Sequence, residues 1–152
     1  MKNTLLLIGF LFAFSAFSQD VPQEKIWRTT EVSSKPDLEK GMYTLRMFIA
    51  DNFQFPDLKN KKVTVFTSFI IEPDGQMTER KAFYVSAKDL VESAAVAIQT
   101  EDQKIAEAKA YEAMKNEAAR VLALFNETWI PARVAGKPVR CLYNYPISFN
   151  IE

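Results

Sequence analysis

The feature that most constrains this chain is a turn sequence between two strand-forming segments. Residues 62–71 are rich in Val, Thr, Phe and Ile, and residues 77–85 form the partner segment. Glu72-Pro73-Asp74-Gly75-Gln76 stands between them, and Pro followed by Asp-Gly at a strand junction is a strong hairpin signal. Asp-Gly also occurs in calcium loops, but the other ligand positions of such a loop are absent. The sequence therefore predicts a β-hairpin whose turn contains Asp74 and Gly75.

A third strand is predicted after Gly136-Lys137-Pro138, where Gly136 permits a tight turn and Pro138 can begin an edge strand. Two sets of residues then alternate with the two-residue period of a strand: Val139, Cys141, Tyr143 and Tyr145 on an apolar face, and Arg140, Leu142 and Asn144 on the other. Pro146 lies inside this strand. Because proline cannot donate a ladder hydrogen bond, we expect the strand to lie at an edge of the sheet.

Helical periodicity accounts for most of the remaining chain. An apolar stripe predicts a first helix over residues 37–53, with Asp37 as its N-cap. Residues 86–127 contain neither Gly nor Pro and predict two helical pieces, the first capped by Ser86 and the second by a Thr100–Gln103 capping box. Trp129 and Pro131 follow this helical region. The economical fold is α+β, with a three-stranded antiparallel sheet and the helices packed on one face.

The N-terminal residues are typical of a cleavable secretory leader. Lys2 precedes an apolar run of about ten residues, and the small residues Ala16 and Ser18 suit a signal peptidase. We expect residues 1–18 to be a signal peptide, residues 19–37 a loosely ordered segment, and residues 38–152 the domain. The run is too short for a membrane span, and no other segment is long and apolar enough to be one. The only cysteine, Cys141, cannot form an internal disulfide, which favours a bacterial periplasmic protein.

Composition argues against several functional classes. The chain has 19 basic and 19 acidic residues, without the clustered basic face expected of a nucleic-acid-binding protein. It contains no histidine, which excludes histidine-based catalysis and histidine metal sites. We find no nucleophile motif, phosphate-binding loop or metal-ligand spacing. We therefore expect a protein that is not an enzyme and that uses neither a cofactor nor a metal.

Several short segments resemble, in order and spacing, the C-terminal domain of TonB, which couples the bacterial inner membrane to outer-membrane receptors. The resemblance covers residues 42–151 and rests on FIADNFQFP (48–56), FIIEPDG (69–75), EAARVL (117–122), WIPA (129–132), GKPV (136–139) and PISF (146–149). Two departures stand out. TonB carries an uncleaved membrane anchor and a long Pro-rich spacer, and this chain has neither. It also has about twenty extra residues of helical sequence before the second helix.

The resemblance implies that the domain binds protein. TonB-like domains add an extended receptor segment as a strand to an exposed sheet edge. On the predicted last strand, the lining residues would be Arg140, Leu142, Tyr143 and Asn144. The partner would be an envelope protein such as a TonB-dependent receptor, and the function would be linked to outer-membrane transport. The same residues could instead be an ordinary solvent-facing row, with Arg140 and Pro146 protecting the edge.

Two other functions stay open at this point: a soluble small-ligand or inhibitor-type binding domain in the periplasm, and a self-associating structural protein of the envelope. A helix over an antiparallel sheet could hold a small apolar ligand in a pocket lined by aromatic residues: Phe66, Phe69, Phe83, Tyr84, Phe125, Tyr143 and Tyr145. These side chains could equally form the core. Alternatively, unprotected edges of two copies could pair, which would make a homodimer.

Overall fold

A computed structural model describes residues 25–90 and 99–152 of the chain. The expected leader and residues 19–24 lie outside the described residues. The chain forms, in order, β1 (Trp27–Arg28), β2 (Asp37–Leu38), α1 (Tyr43–Asn52), β3 (Lys61–Ile71), β4 (Met77–Asp89), α2 (Glu101–Leu124), β5 (Trp129–Ile130), β6 (Arg133–Val134), β7 (Lys137–Pro138) and β8 (Cys141–Ile151). The predicted α+β class is confirmed.

The main sheet has the strand order β1-β8-β3-β4, in which β3 is the middle one of the three long strands. The predicted hairpin is present, since β3 and β4 pair antiparallel from Lys61↔Asp89 to Ile71↔Met77, with two irregularities in register. On its other side β3 pairs antiparallel with β8 from Lys61↔Ile151 to Ile71↔Cys141. The three long strands thus match the predicted antiparallel sheet, and the short parallel strand β1 is an addition.

Alternation along β3 places one face of the sheet in the core, and neither of the described helices covers the other face. Val63, Val65 and Phe69 are fully buried, whereas Lys62 is exposed and Phe66 half-buried. Both helices contribute to the same apolar cluster as these core-facing strand residues: Leu45 and Ile49 from α1, and Met114, Ala118, Val121 and Leu122 from α2. The helices therefore cover a single face of the sheet, as expected from the sequence.

The first helix begins later than the sequence predicts. Asp37 is not its N-cap but lies in β2, where it pairs with Ile130 of β5. The N-cap is Met42, which makes no side-chain capping bond. Gly41, with φ of +78°, stands immediately before it, and its N–H closes a turn onto the Leu38 carbonyl oxygen. This left-handed turn prevents the helix from extending back to residue 37.

The second helical piece predicted within residues 86–127 is confirmed as α2, whereas residues 86–89 of the first piece lie in β4. Ser86 does not cap a helix, because it lies in β4 opposite Thr64 of β3. Residues 91–98 lie outside the described part of the chain. The predicted capping box is confirmed: the Gln103 N–H donates to the Thr100 hydroxyl oxygen, and the Thr100 N–H donates to the Gln103 side chain.

The N-terminal part of α2 is attached to the sheet by charge. The Lys61 ammonium lies 2.9 Å from the Glu107 carboxylate and 3.0 Å from that of Asp89. These hydrogen bonds raise the pKa of Lys61, and the bond from Lys61 lowers the pKa of Glu107. Core packing therefore holds the C-terminal half of α2 on the sheet, and an ion pair holds its N-terminal part.

Residues 25–37, which the sequence predicts to be loosely ordered, contact the domain at three places. Strand β1 pairs with β8, Ser34 forms a bridge with Arg133, and β2 pairs with β5. Neither described helix is both long and apolar enough to span a membrane.

Candidate interaction edge

The outer side of β8 is the edge of the sheet on which the predicted binding residues lie. Strand β1 covers only its beginning, with the parallel register Trp27↔Cys141 and Arg28↔Leu142. The Trp27 N–H donates to the Arg140 carbonyl oxygen at 2.9 Å. From residue 143 onward, no described strand pairs with β8 on this side. We call residues 144–150 of β8 the free edge.

The direction of the Arg140 carbonyl shows which backbone groups face this edge. Backbone groups of alternate residues in a strand point to the same side. Because Arg140 bonds outward to β1, the backbone groups of residues 144, 148 and 150 also point away from β3. The free edge thus offers the N–H and C=O groups of Asn144, Ser148 and Asn150 to an added strand.

Pro146 occupies one of these outward positions. It lies opposite Phe66 of β3, and its missing N–H would have pointed toward the free edge rather than into the β3–β8 ladder. The proline therefore costs the sheet no hydrogen bond, which is the placement expected on an edge strand. It also leaves only an acceptor in the middle of the free edge.

Apolar side chains flank the far end of the free edge. The Phe149 ring lies 4.6 Å from that of Phe53 and 4.7 Å from that of Phe55, between ring centroids. Phe53 is buried, but Phe55 is 46% exposed. An apolar side chain of an added strand could pack against Phe55 at this position. Phe55, Ser148 and Asn150 were missed by the sequence analysis, although the position of Pro146 was sufficient to identify the even-numbered residues as outward-facing.

The guanidinium of Arg140 makes its hydrogen bonds within the domain. It donates to both oxygens of the Glu72 carboxylate, at 2.7 and 2.9 Å, and lies 3.4 Å from Glu79. Glu72 also accepts a hydrogen bond from the Thr78 hydroxyl. The hydrogen bonds from Arg140 hold the pKa of Glu72 below its usual range. Such a bidentate pair fixes the start of β8 to the β3–β4 hairpin.

The other three predicted binding residues lie in different environments. Leu142 is half-buried and pairs with Arg28, while Tyr143 faces the core and stacks on Phe69 at 5.5 Å. Burial raises the pKa of Tyr143. Asn144 is exposed. The structure thus places only Asn144 of the four predicted residues on the free edge.

The residues assigned to structural motifs fall into two groups. At the hairpin, Asp74 accepts a hydrogen bond from the Gln76 N–H, and the Gly75 carbonyl accepts one from the Trp129 N–H. Near the start of β8, Gly136 adopts φ of +78° in the turn between β6 and β7, and Pro138 pairs with Arg133. Pro131 lies between β5 and β6. These contacts position β8 and contribute no outward-facing binding group.

The aromatic residues considered for a ligand pocket do not converge on one cavity. Phe69 and Phe125 belong to the buried core, whereas Tyr84 is exposed on the face of the sheet that neither described helix covers. The largest described depression, of about 500 Å³, lies elsewhere and has no aromatic residue in its lining, which consists of Asp57, Leu58, Lys59, Lys61, Gln99, Gln103, Ala106 and Glu107. The aromatic residues thus supply no common ligand pocket.

Within residues 25–90 and 99–152, no group of three His, Cys, Asp or Glu residues is arranged to hold a metal ion. Cys141 is buried, and this burial raises the pKa of its thiol. Comparison of the chain with known family models, with curated proteins and with solved structures finds no match.

Proposed function

We propose that this protein is an exported, periplasmic interaction module that binds an extended segment of an envelope protein by strand addition at the free edge of β8. The observation that carries the proposal is the row of outward backbone groups at Asn144, Ser148 and Asn150, to which no described strand is paired. Unpaired strand edges are templates for another strand, and backbone bonds provide most of the affinity in this mode.

The position of β1 supports strand addition by a segment of limited length. β1 bonds at the start of β8 and ends beside Leu142, so an added strand must begin beyond that residue. The free edge ends at Asn150, next to Phe149, against which the exposed Phe55 lies. We expect the bound segment to pair with about seven residues and to place an apolar side chain near Phe55.

The proposed compartment and partner class rest on the sequence. The leader-like residues 1–18 support export, and the resemblance to TonB C-terminal domains supports a TonB-dependent receptor as partner and a role linked to outer-membrane transport. We propose a binding domain rather than a complete energy-coupling protein.

Two substitutions with opposite expected effects test the proposal. Asn144→Pro removes an outward N–H donor without removing a β3–β8 hydrogen bond, and should reduce capture of the partner from an envelope extract by about tenfold. Asn144→Ala keeps this N–H and serves as the matched control. Pro146→Ala supplies the missing central donor and should increase capture. Captured proteins would be quantified by mass spectrometry for all four chains at equal concentration.

The ranking of the variants decides between strand addition and other modes of binding. Equal capture by Asn144→Pro and Asn144→Ala would contradict the proposal, because these two variants share the loss of the side chain and differ at the backbone donor. Light scattering on the unmodified chain tests self-association. A dimer that Asn144→Pro dissociates would assign the free edge to a second copy instead.

A further inference from the structure

The face of the sheet that neither described helix covers is organised in rows across the three long strands. Register places five residues of β3 between a residue of β8 and one of β4 in each row. The rows, written β8–β3–β4, are Leu142–Ile70–Thr78, Asn144–Ser68–Lys81, Pro146–Phe66–Tyr84, Ser148–Thr64–Ser86 and Asn150–Lys62–Lys88. We call this surface the open face.

Two lysines of the open face stand directly opposite each other. Lys62 and Lys88 are cross-strand partners in the last row, and both are exposed. Like charges directly opposite on neighbouring strands destabilise a sheet. On the opposite face, the preceding pair of the ladder, Lys61 and Asp89, carries opposite charges and forms an ion pair at 3.0 Å. The Lys62–Lys88 pair therefore carries an electrostatic cost that a bound anion would relieve.

The positive charge extends beyond this pair. Lys81 adds a third exposed lysine, and none of the five rows contains Asp or Glu. Among the described residues, no ion pair involves Lys62, Lys81 or Lys88. The acidic residues beside one end of the rows, Glu72 and Glu79, are bound to Arg140. The open face thus complements a negatively charged partner although the whole chain is neutral.

An apolar row crosses the middle of this basic surface. The rings of Phe66 and Tyr84 lie 5.6 Å apart, next to Pro146. Tyr84 is 58% exposed, and Phe83, the extra residue where β4 departs from regular pairing, is 57% exposed. Hydroxyl groups border this row, with the Thr64 and Ser148 oxygens 2.9 Å apart. Amphipathic aromatic rings beside lysines are typical of surfaces that lie at the headgroup level of a membrane.

The shape of the open face favours an extended partner. The charges and rings are spread over three strands, and the cavities described on this domain contain none of the row residues. A flat surface with separated lysines around an aromatic row fits an array of anionic headgroups better than one small anion. We propose that the open face docks on an anionic lipid bilayer, with lysines at lipid phosphates and Tyr84 at the interface.

Docking through this face leaves the free edge of β8 accessible from the side. Asn144 and Ser148 direct their side chains to the open face, whereas their backbone groups point along the plane of the sheet. A membrane protein emerging beside the docked domain could therefore present its extended segment to the free edge. The lipid proposal does not depend on that partner and is tested separately.

The experiment measures sedimentation of the chain with large vesicles. Vesicles of phosphatidylglycerol and phosphatidylcholine in equal amounts are compared with phosphatidylcholine alone. The chain is recovered after export and its N-terminus checked by mass spectrometry, since residues 1–18 would themselves bind lipid. We expect binding to the anionic vesicles only, weakened by salt. Equal binding to both vesicles would overturn the proposal.

Lys62→Glu separates loss of binding from loss of folding. This variant places an acid opposite Lys88, so it should unfold at a higher temperature than the unmodified chain while its affinity for anionic vesicles falls by at least about tenfold. Lys137→Glu, an exposed lysine outside the rows, makes the same change of charge and should lose less than about threefold. Equal losses for the two variants would contradict docking through the open face.

Two further measurements identify the source of the anion and the role of the aromatic row. Tyr84→Trp should show a blue-shifted fluorescence on anionic vesicles, and an unchanged spectrum would overturn the assigned orientation. Soluble heparin that displaces the chain from vesicles at equal charge concentration would assign the face to a polysaccharide instead. Lys62→Glu should still capture the edge partner, so the lipid proposal can fail without the strand-addition proposal.

Discussion

The Gly75 carbonyl oxygen accepts a hydrogen bond from the Trp129 N–H at 2.9 Å. Trp129 is 2% exposed and packs against both Phe69 and Tyr143, with ring centroids 5.4 and 5.5 Å away. The turn of the β3–β4 hairpin is thereby joined to the segment that leads from α2 toward β8. Two parts of the chain that are more than fifty residues apart form one structural unit.

Gly75→Ala should destabilise the domain by about 2–4 kcal/mol. Gly75 has φ of +85°, and a Cβ there would overlap the Trp129 carbonyl oxygen and lie 2.9 Å from the Thr128 Cγ2. Urea unfolding measures the loss. Gly136→Ala is the matched control, because Gly136 has φ of +78° but no atom within 4 Å of an added Cβ. Equal losses of stability for the two variants would show that the overlap between the added Cβ and the Trp129 carbonyl oxygen contributes nothing.

Glu72→Gln should make the stability of the domain less sensitive to acidic pH. The folded-state pKa of Glu72 lies below its ordinary value of 4.5 because Arg140 donates hydrogen bonds to it. The resulting stability is complete above about pH 4.5 and is lost as pH falls through the folded-state pKa. The variant should lose about 1–2 kcal/mol at neutral pH and show a shallower decline below pH 5.

Denaturant unfolding across this pH range would test the effect of Glu72. Glu112→Gln, at an exposed pair with Lys115, is the control and should change stability by less than about 0.5 kcal/mol. Some acid dependence should persist in Glu72→Gln, since Glu107 and Glu117 also have lowered pKa values. Parallel pH curves for Glu72→Gln and the unmodified chain would contradict the assigned role.

Thr100→Ala should loosen the first turn of α2. The substitution removes the hydroxyl that accepts the Gln103 N–H, at a cost of about 1 kcal/mol. Because this part of the helix is exposed, the change should appear as faster amide exchange at Gln103 and Lys104 with little change at the buried Val121. Asn116→Ala, at an exposed position within α2, should leave those amides unchanged.

Pro146→Ala should increase self-association. The substitution gives the centre of the free edge a donor, and proline is one of the devices that keep sheet edges from pairing with other chains. Light scattering at increasing concentration measures the effect. Glu39→Ala, at an exposed position outside the sheet, controls for general surface changes. A strictly monomeric Pro146→Ala chain at every concentration would show that Pro146 does not protect this edge.

The hairpin and the last strand were predictable because their signals are local. Asp74-Gly75 specifies a turn by itself, and the two-residue alternation around Cys141 fixes which side of β8 faces the core. Pro146 likewise indicated an edge before any pairing was known. The capping box at Thr100 was found for the same reason, since its two partners are three residues apart.

The remaining features depend on contacts between distant residues. β1 and β2 have two residues each, too few for any periodicity, and exist because β8 and β5 pair with them. The prediction of a helix at Ser86 rests on the absence of Gly and Pro from residues 86–127, whereas pairing with Thr64 of β3 extends β4 past Ser86. The predicted binding residues begin at Arg140, but the free edge begins at Asn144. The sequence does not reveal that β1 lies beside Arg140 or that Glu72 binds its side chain.

The parallel pairing of β1 with β8 has a mechanical consequence. If residues 25 and 152 were pulled apart, β1 would be drawn toward its N-terminal end and β8 toward its C-terminal end. Because the two strands are parallel, these directions are opposite along one axis. The hydrogen bonds between the two strands, including that from the Trp27 N–H to the Arg140 oxygen, would then be sheared together instead of being opened one after another. Tension between these two residues would thus be resisted first at the point where β1 limits the free edge.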